Sequence, residues 1–165
     1  MGAGKSTIGR CLAAVLRRRF YDSDREIERR TGASVSLIFE VEGEPGFRAR
    51  EKAVIDDLTR LKHIVLATGG GAVLDPDNRA HLANRGRVIY LYASTDELLR
   101  RTARDRSRPL LQTPDRRSRL EQLMAQRDPL YREVADVVIE TGNYRIRRVV
   151  NDILRQLNLH ENPAR

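Results

Sequence analysis

Residues 1–7 read Met-Gly-Ala-Gly-Lys-Ser-Thr, and residues 8–19 continue Ile-Gly-Arg-Cys-Leu-Ala-Ala-Val-Leu-Arg-Arg-Arg. In the second part Ile8, Leu12, Val15 and Leu16 recur at helical spacing with arginines opposite, which predicts a helix over about 4–19, with Cys11 packed beside the apolar stripe. In the first part Gly2, Ala3, Gly4, Lys5, Ser6 and Thr7 form a loop whose backbone N–H groups can wrap phosphates at the N-terminus of that helix. Lys5 would reach the β- and γ-phosphates of ATP. Ser6 would set its hydroxyl on Mg²⁺, and the helix would add the positive end of its dipole. The stretch is the second half of a Gly-x-x-x-x-Gly-Lys-Ser/Thr motif, whose first glycine falls before Met1. A glycine-rich terminus arising by chance is the plainer alternative, and the helix in the required place argues against it.

Further along, short apolar runs alternate with longer amphipathic segments, the rhythm of an α/β protein with helices around a parallel sheet. Phe20-Tyr21-Asp22 reads as a strand end, and residues 64–67, 88–92 and 137–140 read as buried parallel strands. Phe47, Val54, Ile55, Leu58 and Leu61 share one helical face, as do Val149, Val150, Ile153, Leu154 and Leu157. Asp75-Pro76 starts a helix that Gly86 should end in the left-handed conformation, and Ser94-Thr95-Asp96-Glu97 forms a capping box. No repeat or linker interrupts the 165 residues, which are read as a single domain with a mobile lid around 105–120.

Composition narrows the class. The longest apolar runs fall far short of the ~20 residues needed to span a bilayer, the opening residues do not resemble a secretory signal, and one cysteine cannot form an internal disulfide. The expectation is a cytoplasmic protein away from membranes. A net charge of +8, with eight arginines between Arg100 and Arg119, would attract phosphate on any carrier. No aromatic interleaves that cluster, so a small polyanion is a better partner than nucleic acid.

Three more stretches carry candidate chemistry. In Asp22-Ser23-Asp24, strand alternation would point both carboxylates to one side, one supporting the water shell of Mg²⁺ and the other orienting an attacking hydroxyl; Asp24 could instead cap the next helix. Thr68-Gly69-Gly70-Gly71 ends a strand where open α/β sheets bind ligands, and three glycines permit close backbone approach. Asp105-Arg-Ser-Arg-Pro-Leu-Leu111 reads as a lid bearing a phosphate-contacting arginine.

In order and separation, GAGKST, FYDSD, GEPGFRAREKAVI, LATGGGAV, RPLL and RDPLYREVAD closely resemble the shikimate kinase family across nearly the whole chain. The resemblance implies a P-loop fold with family strand order 2-3-1-4-5, and transfer of the ATP γ-phosphate to the 3-hydroxyl of shikimate by a monomer. It makes Asp24 the base, meeting the shikimate hydroxyls, and Asp22 a support for Mg²⁺ through water. Arg48 and Arg127 become the pair that grips the shikimate carboxylate, a role suited to a planar fork of donors, with Glu51 steadying Arg48. Gly69, Gly70 and Gly71 approach the substrate, Arg108 meets the transferring phosphate and Arg101 stacks near adenine. The loop 141–146 lies on the adenine side, without a proline that some family members carry.

Family members also begin with an apolar strand running into the phosphate loop, placed between the strand ending at Asp22 and the one near Tyr92. The expectation is that this strand precedes Met1. Its loss would leave unpaired backbone groups and impair the enzyme, which keeps a catalytically impaired binding module as an alternative. A related kinase such as gluconate kinase is another; Arg48, Arg127 and the triple glycine argue against it.

Overall fold

The first helix, α1 (Lys5–Val15), leads into β1 (Arg19–Asp22) in a computed structural model that describes residues 2–103, 113–142 and 144–157. There follow α2 (Ser23–Thr31), α3 (Val35–Thr59), β2 (Ile64–Ala67), a short 3-10 turn (Ala72–Leu74), α4 (Pro76–Arg85), β3 (Ile89–Tyr92), α5 (Thr95–Thr102), α6 (Arg116–Val134), β4 (Val137–Glu140) and α7 (Ile146–Gln156). α1 is shorter than its apolar stripe because the chain turns at Arg17, whose φ is +52°, to enter β1. Cys11 is exposed instead of packed.

Among the described residues both strand pairs are parallel, as the helical crossovers require. β1 pairs with β2, aligning Asp22 with Ala67, and β3 pairs with β4, aligning Tyr92 with Glu140. Among the described residues no strand lies between β2 and β3; that slot is lined by Leu66, Leu91, Ala3 and Lys5. The interior gap therefore borders Ile64–Ala67 and Ile89–Tyr92. This agrees with the family order 2-3-1-4-5 and corrects the placement beside the strand ending at Asp22, because β2 already occupies that edge of β1.

Alternation in the strands divides the core between two helical layers. Val65 packs with Ile8, Leu12, Val149 and Ile153 of α1 and α7, while the next residue, Leu66, packs with Ile27, Phe47, Val54 and Leu58 of α2 and α3. A third cluster joins Ala3 to Ala93, Leu98, Leu120 and Leu123, seating the phosphate loop on α5 and α6. Of the apolar face foreseen in the third helix, Leu61 lies past the helix end and is 39% exposed. That helix also begins earlier than its stripe, at Val35, and bends at Gly43, whose φ is +70°.

Local capping follows side-chain chemistry, with three corrections. Asp75 caps α4 as expected, but Gly86 is extended, so the helix stops without a left-handed glycine. Ser94 accepts from the Glu97 amide, whereas the Glu97 carboxylate pairs with Arg100 and Arg101, leaving the box half made. The cap of α2 is Asp22, which accepts from the amides of Asp24 and Arg25; Asp24 lies inside the helix, not on a strand. No described helix is long and apolar enough to cross a membrane.

Candidate active site

The phosphate loop takes its shape from two glycines. Gly2 and Gly4 have φ of +73° and +84°, and Gly4 is the N-cap of α1, so the amides that open the helix meet no preceding carbonyl. A Cβ on Gly2 would also come within 2.8 Å of the Thr102 side chain. Lys5, Ser6 and Thr7 begin the helix and line a cleft of about 290 Å³ together with Gly2, Gly4, Thr68 and Arg101. Arg101 donates to the carbonyls of Gly2, Thr141 and Gly142 and pairs with Glu97, fastening the loop to the turn after β4. Arg108 and the rest of the 105–111 stretch lie outside the described residues, as does Asn143; residues 116–120 of the expected lid belong to α6.

On the other side of Asp24 lies a cleft of about 390 Å³ whose polar wall comes from α1, β1, α2, α3, the turn after β2 and α6. Arg48 and Glu51 stand one turn apart on α3, and the guanidinium bonds Glu51 at 2.6 Å and Glu44 at 2.8 Å. Glu51 is 0% exposed; burial pushes its carboxyl above the ordinary range against the pull of Arg48. Arg127 enters from α6, is 4% exposed and, among the described residues, has no hydrogen-bond partner at Nε. Burial lowers the pKa of its guanidinium, and no described carboxylate pairs with it, so the cleft holds a desolvated cation suited to an anionic ligand.

The glycine turn explains itself by proximity. A Cβ on Gly69 would sit 2.6 Å from Glu51 Oε1 and 2.9 Å from Asp24 Oδ1, and one on Gly71 would overlap the Arg48 guanidinium. Any side chain there would displace the charged groups of the cleft. The Gly69 amide donates to Ser23 Oγ at 3.0 Å, and the Tyr131 hydroxyl donates to the Gly70 carbonyl. Sequence reasoning missed both anchors, since Ser23 reads only as a spacer between two aspartates; Tyr131, four residues after Arg127, carried the available signal of a shared helix face.

The two clefts meet at one wall: Ser6, Asp22, Asp24, Gly69 and Gly70 line both. Ser6 Oγ donates to Asp22 Oδ2 at 2.6 Å, and Asp22 Oδ1 accepts from the Asp24 amide at 3.1 Å. Asp22 thus joins the phosphate loop to the helix bearing Asp24. Within the basic cluster that raised the nucleic-acid reading, Arg100 and Arg101 pair with Glu97, and Arg117 with Asp96.

A phosphate-binding helix N-terminus beside strand C-terminal ends, with a separate arginine-lined cleft across two carboxylates, defines a P-loop phosphotransferase of small molecules. The shikimate kinase family model matches residues 1–158. The chain is 56% identical over 164 residues to a shikimate kinase of Nitrosococcus oceani, covering 99% of this chain and 86% of the relative. It is 59% identical over 159 residues to that of Burkholderia lata, covering 96% and 86%. The solved shikimate kinase of Acinetobacter baumannii in complex with shikimate superposes with a TM-score of 0.94 at 51% identity, covering 98% of this chain and 90% of that one. This chain belongs to the shikimate kinase family.

Proposed function

We propose that this chain transfers the γ-phosphoryl group of ATP to the 3-hydroxyl of shikimate, giving shikimate 3-phosphate and ADP. The observation that carries the reading is the shared wall: a phosphate cleft and an arginine-lined cleft meet at Asp22 and Asp24, so a donor phosphate and an acceptor hydroxyl can face each other there. Phosphoryl transfer proceeds through a loose transition state, so positioning and charge neutralisation supply most of the rate.

On the phosphate side, the amides of Lys5, Ser6 and Thr7 and the Lys5 ammonium would hold the β- and γ-phosphates, with Gly2, Ala3 and Gly4 shaping the loop. Arg101 would border the adenine and Arg108 would reach the transferring group. Ser6 and Asp22 present hard oxygen donors 2.6 Å apart, the donor type Mg²⁺ prefers. Ser6 would hold the ion and Asp22 its water shell. Bound there, Mg²⁺ supplies charge neutralisation at the β- and γ-phosphates.

On the acceptor side, Arg127 and Arg48 would grip the shikimate carboxylate, and Gly69, Gly70 and Gly71 would let the ring lie against backbone. Asp24 would orient the 3-hydroxyl and accept its proton as the oxygen–phosphorus bond forms and the bond to the ADP oxygen breaks. The reading takes the chain as a monomer, and its single cysteine, Cys11, supports a reducing cytoplasm.

ADP release measured with shikimate, gluconate and buffer alone tests the reading. Shikimate-dependent release with a phosphorylated product is expected. ATP binding without shikimate-dependent release, or preference for gluconate, would overturn it.

A further inference from the structure

Tyr131 lines neither the phosphate cleft nor the acceptor cleft, yet its hydroxyl touches the glycine turn that walls both. It donates to the carbonyl of Gly70, the middle residue of the glycine turn. Arg127 stands four residues, one helical turn, back on the same helix α6, so the bond to Gly70 ties the glycine turn to the element that carries the guanidinium. The ring stacks on Tyr90 with centroids 4.8 Å apart, and the Tyr90 hydroxyl donates to Asp128 of α6 at 2.8 Å.

These ties matter because α6 contains Pro129, which removes one backbone donor from the helix between Arg127 and Tyr131. The long Arg127 side chain, with no described acid to hold it, needs a fixed neighbour if its fork is to meet a planar carboxylate. A hydroxyl that donates to the Gly70 carbonyl from the turn of α6 next to Arg127 sets the distance between the glycine turn and the base of the arginine side chain.

Resting on the shikimate reading, we infer that Tyr131 is a positioning residue: its hydroxyl fixes the glycine turn, through Gly70, relative to Arg127, so that ring and carboxylate of the acceptor are held in one register. The role belongs to acceptor binding and leaves the nucleotide side untouched.

Tyr131→Phe keeps the ring that stacks on Tyr90 and removes only the hydroxyl. Steady-state kinetics should show the KM for shikimate raised about tenfold, the effect of one lost hydrogen bond of about 1.4 kcal/mol. The KM for ATP and kcat should stay within about threefold. In an Arg127→Lys background the same change should cost less than half as much on a logarithmic scale, because the group being positioned is already altered. An unchanged shikimate KM, equal rises in both KM values with a lower melting temperature, or full additivity with Arg127→Lys would each overturn the inference. An unsubstituted chain that fails to phosphorylate shikimate would instead overturn the functional reading and this inference with it.

Discussion

The phosphate cleft and the acceptor cleft share Ser6, Asp22, Asp24, Gly69 and Gly70 but are built by different means. On the phosphate side, six consecutive residues supply the loop, the amides and the lysine, and two glycines of positive φ impose the shape. The acceptor side takes Asp24 from α2, Arg48 and Glu51 from α3, Gly69, Gly70 and Gly71 from the turn after β2, and Arg127 from α6. A contiguous backbone loop binds through dipoles that come with the helix, whereas the second cleft depends on buried charges kept in place by tertiary packing. Damage to the first should therefore appear in the chemical step, and damage to the second in acceptor affinity.

The sharpest break is at Lys5. Lys5→Ala should lower kcat/KM about 10³-fold by removing a cation from the transferring phosphate, with the melting temperature little changed. Normal turnover would destroy the account of the phosphate cleft. Arg127→Ala comes next: the KM for shikimate should rise about 10²-fold while the KM for ATP stays within about threefold. Parallel loss of ATP affinity would mean that the clefts are not separable as described.

A milder test uses Gly71→Ala, whose Cβ would overlap the Arg48 guanidinium. The arginine can yield at some cost, so a rise of about tenfold in shikimate KM is expected, with ATP kinetics unchanged. If shikimate KM does not move, the close approach at Gly71 has no bearing on the acceptor.

The smallest effect lies outside both clefts, at Glu26. Hydrogen bonds from Arg29, opposed by burial and supported by Arg30, hold its pKa well below the ordinary 4.5, at about 2. A depressed carboxylate contributes stability that is complete above the unfolded value and lost as pH falls through the folded one. Glu26→Gln should thus cost about 1 kcal/mol near neutral pH, allowing for solvent screening. The gap from the unsubstituted chain should close between about pH 5 and pH 2 in thermal unfolding. Kinetics at neutral pH should be unaffected, which makes the variant a control for the others.

Sequence legibility follows the same division. β2 and β4 matched the expected residues, and the caps at Asp75 and Ser94 were readable, because alternation and capping are decided within a few neighbours. Gly86 misled because glycine permits the left-handed conformation without requiring it. The order 2-3-1-4-5 fits the two strand pairs, while the placement of the missing strand beside the one ending at Asp22 does not; short strands of similar composition do not encode their own lateral order, so only the resemblance could supply it.

What the sequence determined by itself was the phosphate loop on its helix, the α/β alternation and the presence of Asp24, Arg48, Gly70 and Arg127 in recognisable company. Tertiary structure alone decided that Asp22 caps α2 while accepting from Ser6, that Glu51 is buried against Arg48, and that Ser23 and Tyr131 grip the glycine turn across separations of 46 and 61 residues. The physical reason is range. Backbone dihedrals and caps respond to adjacent residues, whereas a buried charge finds its partner only when packing brings distant elements together.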